Sequence, residues 1–166
     1  PDADAGCSLE ASCDAGELEA FLKENAHKNY YVVAYVNCSI GVKALADVIV
    51  TSGNAVKIVS QAPEDRPILF VPDQNLGAWV SRQLGRPLEL WNGACHVHME
   101  FTRDQILALK EKHPGVPVVA HPECTEAVRL LADHICSTEK MIPYCTENPA
   151  KSFIIVTESG ILHRLR

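Results

Sequence analysis

Two cysteines stand at comparable places in the sequence, and each could bind a metal. Cys7 follows Gly6, and Cys95 follows Ala94 88 residues further along. Each cysteine precedes a predicted helix start, where the helix dipole favours the thiolate, the metal-binding form of the side chain. Neither belongs to a C-x-x-C pair, so the spacing alone is only a weak indication of a metal site.

Polar side chains at the ends of short apolar runs form a second candidate group. Tyr35-Val36-Asn37 ends one run and His121-Pro122-Glu123 ends its counterpart, while Ser52 and Thr138 end the next pair. Hydroxyls before a helix suit a phosphate or a carboxylate, although helix caps are built from the same groups. A histidine and a glutamate at a strand end could act as base and acid on a substrate between them.

The elements that must position these residues are repeated. Gly16–Val71 aligns in order with Asp104–Val156, with an offset that falls from 88 to 86 and then to 85. Helix starts are predicted at Asp14 (D-x-x-E) and at Thr102 (T-x-x-Q). The predicted strands are Tyr31–Val36, Val48–Val50 and Ile68–Val71 in the first copy, and Val116–Ala120, His134–Cys136 and Phe153–Val156 in the second.

Helices that alternate with short apolar strands are typical of a parallel sheet covered on both faces. We therefore predict an α/β fold of two repeated three-layer α/β/α domains with short parallel sheets, at residues 1–94 and 95–166. Ligands in such folds bind beyond the carboxyl ends of the strands, which is where the polar residues fall.

The composition excludes several classes of function. The 166 residues carry a net charge of −6 with only 15 Lys and Arg, which argues against nucleic-acid or anionic-membrane partners. No apolar run approaches the roughly 20 residues that span a bilayer, and no secretory signal is visible. Seven cysteines without an export signal indicate a reducing compartment, so we predict a cytoplasmic protein in which four or five cysteines are packing residues.

Motifs along nearly the whole chain resemble those of the quinolinate synthase family. The matching pieces are Gly6-Cys7-Ser8-Leu9, Tyr35-Val36-Asn37, Ala46-Asp47, Thr51-Ser52, Asn54-Ala55-Val56, Pro72-Asp73-Gln74-Asn75-Leu76-Gly77, Gly93-Ala94-Cys95-His96-Val97-His98, His121-Pro122-Glu123 and Ser137-Thr138.

The resemblance implies three similar α/β/α domains around a pseudo-threefold axis, with the active site where they meet. This chain would supply the second and third domains. It also implies a [4Fe–4S] cluster held by one cysteine from each domain, with Cys7 and Cys95 matching the first two ligands and facing each other across a common pocket. The iron without a protein thiolate would act as a Lewis acid on the substrate. The first domain would precede Pro1 and the third cysteine would follow Arg166, so we expect the 166-residue chain alone to be inactive, or nearly so.

The implied reaction condenses iminoaspartate with dihydroxyacetone phosphate to quinolinate, phosphate and water, in NAD biosynthesis. L-Aspartate oxidase would supply the iminoaspartate. The resemblance gives acid–base roles to Glu123 and Tyr35, with His121 near the same substrate. The matching substrate-binding positions are Tyr35, Val36, Asn37, Ser52, His121, Pro122, Glu123 and Thr138. The cysteines that match no ligand position are Cys13, Cys38, Cys124, Cys136 and Cys145.

Two alternatives remain open from the residues themselves. His96-Val97-His98 and His121-Pro122-Glu123 could belong to a zinc hydrolase or deaminase, because alternating histidines on a strand face the same side. A small α/β domain that senses a phosphorylated metabolite would use the same strand-end hydroxyls without catalysis.

Overall fold

The structure is a computed structural model and describes residues 6–165. The chain divides into two compact units, Pro1–Cys95 and His96–Arg166, called here the first and second units. Within the described residues, every helix is too short or too polar to cross a bilayer.

The first unit alternates helices with four short strands. Its elements are α1 (Ser8–Ala11), α2 (Ala15–Glu24), a 3-10 turn (Ala26–Lys28), β1 (Tyr31–Tyr35), α3 (Ile40–Ala44), β2 (Val48–Val50), α4 (Ala55–Val59), β3 (Ile68–Val71), α5 (Gln74–Leu84) and β4 (Glu89–Leu90). The strands form one parallel sheet in the order β2-β1-β3-β4.

Both faces of this sheet are buried. Along β1, Val33 and Tyr35 face a core completed by α1, α4 and α5, whereas Val32 and Ala34 face a core completed by α2 and α3. Alternate residues of a strand point to opposite faces, so an apolar run of this kind needs helices on both sides.

The second unit repeats the arrangement with three strands. Its elements are α6 (His96–Met99), α7 (Arg103–Lys112), β5 (Val118–Ala120), α8 (Glu126–Arg129), β6 (His134–Ile135), α9 (Thr138–Glu147), β7 (Ile154–Val156), a 3-10 turn (Ser159–Ile161) and α10 (Leu162–Leu165). The parallel sheet has the order β6-β5-β7, with one core on the α7 and α8 side and another on the α9 side.

The repeat predicted from the sequence is present in the strand register. Val33 pairs with Val48 in the first unit, and Val119 pairs with His134 in the second, which preserves the offset of 86. The aligned aspartates also make the same bond, because Asp47 accepts the amide of Val32 at 2.8 Å and Asp133 accepts that of Val118 at 2.8 Å. The predicted α/β fold with two repeated, helix-covered sheets is therefore confirmed.

The predicted helix starts are also present. The Asp14 carboxylate accepts the amides of Gly16 and Glu17, and Thr102 and Gln105 form a reciprocal capping box. Caps of this kind satisfy backbone amides that have no partner within the helix.

Several strands are shorter than predicted, and one was missed. The strand predicted from Val116 begins at Val118, because Pro117 has no N–H to donate to the ladder. The strand predicted to reach Val36 ends at Tyr35. The two-residue β4, which has both residues exposed, has no counterpart in the second unit and no apolar pattern in the sequence.

Candidate active site

A buried carboxylate lies between two histidines at the carboxyl edge of the second sheet. Glu123 is 2% exposed, and the turn that carries it follows β5 directly. Its Oε2 lies 3.2 Å from Nδ1 of His98, and its Oε1 lies 3.7 Å from Nδ1 of His121. The two imidazole rings are stacked, with centroids 4.7 Å apart. This is an acid–base group withdrawn from bulk water, as a general acid or base requires.

The protonation state of His121 follows from its surroundings. The pKa of His121 is lowered to about 4. Burial is the main cause and the neighbouring His98 contributes, whereas Glu123 acts in the opposite direction. The ring is therefore neutral near neutral pH. The backbone amide of Glu123 donates to His121 Nδ1 at 3.3 Å, so the proton of the neutral ring is on Nε2.

His98 and Thr157 belong to the same cluster. The sequence grouped His98 with His121 and Glu123 only in the zinc alternative, and it gave Thr157 no role. The Nε2 atom of His98 lies 3.0 Å from Oγ1 of Thr157, which directly follows β7. Thr157 could have been suspected from its place after a strand, but no local pattern links His98 to Glu123, 25 residues away.

Helix α6, which carries His98, excludes the H-x-H pair considered for zinc. Residues His96–Met99 are helical, so His96 and His98 do not share a face as they would on a strand. His96 is exposed and His98 is buried. The alternative of an H-x-H pair on a strand is therefore wrong.

Strand-end residues of the first unit occupy the corresponding edge of its sheet. Tyr35 is buried, and its hydroxyl accepts a hydrogen bond from the exposed Asn37 side chain at 3.3 Å. Val36 is 38% exposed, and Ser52 is half-buried in the turn after β2. The substrate-binding role of these four residues remains a prediction.

The start of α9 has the features of an anion site. Thr138 is its first residue and is half-buried. Ser137, at the N-cap, is 5% exposed, and its hydroxyl has no hydrogen-bond partner within residues 6–165. A buried hydroxyl without a partner is costly, and a helix N-terminus attracts negative charge. A carboxylate or phosphate oxygen would accept a hydrogen bond from the Ser137 hydroxyl and would place negative charge at the N-terminus of α9.

The two candidate metal ligands lie in the first unit, and neither is buried in a separate core. Cys7 is exposed at the N-cap of α1. Cys95 is half-buried and packs against the same core that contains Leu9 of α1. The backbone of Cys95 is fixed by Asp73, a fully buried carboxylate that accepts its amide at 3.0 Å and that of Leu76 at 2.7 Å.

The chemistry of the remaining cysteines separates them from this pair. Burial raises the pKa of Cys13 to about 12 and that of Cys136 to about 11, and it also raises the pKa of Cys38 and Cys145. The buried Cys124 thiol donates to the carbonyl of Val156 at 3.5 Å. A raised pKa disfavours the thiolate, so these four thiols and the buried Cys124 fit iron ligation less well than the exposed Cys7 and the half-buried Cys95.

Comparison with known proteins identifies the class to which this α/β chain belongs. The family model for "Quinolinate synthetase A protein" matches residues 1–166, so the chain belongs to that family. The chain is 51% identical over its whole length to a protein of Prochlorococcus marinus (strain MIT 9303) and 48% identical to one of Trichormus variabilis, each named quinolinate synthase. It spans 49% and 51% of these two relatives, respectively, or about half the length of each.

Proposed function

We propose that this chain supplies the second and third domains of a quinolinate synthase. The whole enzyme would condense iminoaspartate with dihydroxyacetone phosphate. The observation that carries the proposal is the buried Glu123 between His98 and His121 at the carboxyl edge of a sheet. The family membership and the relatives' names support the reaction.

The condensation joins two small molecules and expels phosphate and water, so protons must leave carbon and reach departing oxygens. Glu123 is the proposed base, because its carboxyl group is buried at the carboxyl edge of the sheet and lies 3.2 Å and 3.7 Å from the imidazoles of His98 and His121. His121 is the proposed donor at a substrate oxygen, since its neutral ring carries the proton on Nε2. A neutral imidazole can polarise a carbonyl in this way. Tyr35 is the proposed second acid–base group.

The substrates carry carboxylates and a phosphate, and the remaining strand-end groups suit them. Asn37, Ser52 and Thr138 offer amide and hydroxyl donors, and Thr138 adds the N-terminus of a ten-residue helix. The turns at Val36 and Pro122 place backbone groups beside these side chains. We propose that they bind and orient the two substrates.

Cys7 and Cys95 would hold a [4Fe–4S] cluster together with a thiolate that is not among these 166 residues. When bound, the cluster supplies Lewis-acid polarisation of a substrate oxygen or nitrogen. This chain's own contribution is to present Cys95 from a backbone fixed by Asp73 and to keep Cys7 accessible. We also propose a cytoplasmic location, where L-aspartate oxidase would supply the iminoaspartate.

A chimera tests the proposal. Residues 1–166 replace the matched half of the Prochlorococcus marinus relative, and quinolinate formation is measured after anaerobic reconstitution with iron and sulfide. We expect the chimera to form quinolinate and the isolated 166-residue chain to form little or none. Loss of a general base costs on the order of 10²–10⁴ in rate, so Glu123→Gln in the chimera should lower kcat by at least about 100-fold.

Glu126→Gln is the matched control, because Glu126 is an exposed acid three residues away. It should leave kcat close to that of the unsubstituted chimera. A folded, iron-loaded chimera that forms no quinolinate would contradict the proposed function. Full activity in the Glu123→Gln chimera would contradict the proposed base.

A further inference from the structure

A buried arginine binds the turn that carries Glu123. Arg129 is the last residue of α8 and is 7% exposed. Its Nη1 donates to the backbone carbonyl of Pro122 at 2.9 Å and also to that of Cys124. These two carbonyls belong to the residues on either side of Glu123, so one guanidinium nitrogen holds both ends of the segment.

The turn is short, and its first residue is bound to β7, because the His121 amide donates to the carbonyl of Val156 at 3.0 Å. The amide of Cys124 donates to the carbonyl of His121 at 3.0 Å, which closes a four-residue turn over 121–124. Within that turn the Pro122 carbonyl points toward Arg129, and Pro122 has no N–H with which to make a further bond. Arg129 is therefore a side chain that binds the carbonyls on both sides of Glu123.

The repeat offers an internal comparison. At the offset of 86, Arg129 aligns with Lys43, Glu123 with Asn37 and Cys124 with Cys38. Asn37 is exposed and uncharged, and Lys43 is half-buried. The buried guanidinium thus occurs in the copy whose turn carries a buried carboxylate. Burying a charged arginine is costly unless its donors are satisfied, which makes a general packing role a poor reason for its presence.

We propose that Arg129 is a positioning residue that holds the 121–124 turn in the conformation in which Glu123 meets both histidines. Its relevance to catalysis rests on the proposed function, whereas the positioning itself is a property of the folded chain. Arg129 acts through backbone carbonyls, which a planar guanidinium can bind simultaneously and an ammonium on a flexible stem binds less well.

The test measures histidine titration and amide exchange by NMR in the 166-residue chain, without substrate or metal. Arg129→Met should open the turn and readmit water to His121. Hydration favours the protonated ring; of the groups that face the ring, Glu123 also favours protonation and His98 opposes it. The His121 midpoint, expected near 4, should rise by at least about one unit. Exchange of the Cys124 amide should accelerate by at least about tenfold, while that of Val119 in β5 stays unchanged.

Arg129→Lys, which introduces the residue type of the first copy, should give a smaller rise and a smaller acceleration. Arg103→Met is the matched control, because the Arg103 side chain is 59% exposed and pairs with Asp104 on the surface of α7. It should change neither reading. If Arg129→Met does not fold, the His121 midpoint and the Cys124 exchange rate are measured in Arg129→Lys, and these two quantities test the proposal.

Two results would overturn the inference. One is an unchanged His121 midpoint and unchanged Cys124 exchange in a folded Arg129 variant. The other is acceleration at Val119 equal to that at Cys124, which would make Arg129 a general stabiliser of the second unit. Neither result depends on turnover, so a failed chimera with a positive NMR result would refute the proposed function and leave the positioning role intact.

Discussion

Acid should destabilise the second unit through His121. Burial lowers the pKa of this ring to about 4, whereas an unfolded histidine titrates near 6.5. Above about pH 6.5 the ring is neutral in both states, and its contribution to stability is fully present. As the pH falls through that value the unfolded chain binds the proton first. Stability is then lost progressively until the pH reaches the folded-state pKa of about 4.

The size of the loss follows from the two pKa values. Linkage gives about 2–3 kcal/mol between about pH 7.5 and about pH 4.5, and about 3 kcal/mol at still lower pH. Other groups also titrate in this range, so the informative quantity is the difference between the parent and His121→Asn at each pH. Asparagine retains an acceptor for the Glu123 amide and cannot be protonated in this range.

The two units provide separate signals in one sample. Both tryptophans, Trp79 and Trp91, lie in the first unit, so their fluorescence follows that unit alone. The methyl signal of Met141, buried in α9, follows the second unit by NMR. Urea unfolding followed by the Met141 signal should show that, between about pH 7.5 and about pH 4.5, the parent loses about 2–3 kcal/mol more stability than His121→Asn. The fluorescence transition should be the same in both proteins.

His113→Asn is the control, because His113 is exposed and its ring is solvated in both states. Its Met141 transition should depend on pH as that of the parent does. Parallel loss of stability in the parent and in His121→Asn would show that His121 is not desolvated as described, and the assignment of its neutral tautomer would fail with it.

Two further predictions concern the first unit and the cysteines. At about pH 8, iodoacetamide should alkylate the exposed Cys7 at least about 100-fold faster than Cys136, because burial raises the pKa of Cys136 to about 11. Peptide mass spectrometry measures both rates. Equal rates in the folded chain would contradict the division of the cysteines. Gly93→Ala should destabilise the first unit by about 1–3 kcal/mol, because the new Cβ would lie 2.5 Å from the Pro72 carbonyl oxygen. The tryptophan transition should move to lower urea while that of Met141 does not, and an unmoved tryptophan transition would refute the close approach.

The parts of the fold that could be predicted are those set by local periodicity and by duplication. The aligned Asp47 and Asp133 are an example, since each accepts a strand amide 15 residues earlier in its own unit. A feature that occurs twice at one offset is unlikely to be accidental, and this is why two repeated units of helices and short parallel strands could be predicted, whereas the strand order β2-β1-β3-β4 was not. The two-residue β4 occurs once and carries no periodic pattern, so nothing in the sequence indicated it.

The parts of the site that could not be predicted depend on contacts between distant segments. Glu123 was identified with its motif, but the contact with His98 joins α6 to the turn after β5. Asp73 was noted within a motif, yet its bond to the Cys95 amide spans 22 residues and depends on the path of the chain after β4. Local spacing identifies the side chains capable of chemistry, whereas their partners are determined by the tertiary fold.

The difference between the two copies explains why these partners exist. The turn after β1 carries Asn37, which is exposed and needs no special surroundings. The equivalent turn after β5 carries Glu123, and burying its charge would be unfavourable without compensation. His98, His121 and Arg129 surround this turn with polar groups directed at the carboxylate or at its backbone. One backbone framework thus holds an exposed, neutral asparagine in the first copy and a buried acid in the second, and the additional buried polar groups lie around the acid because a desolvated carboxylate requires them.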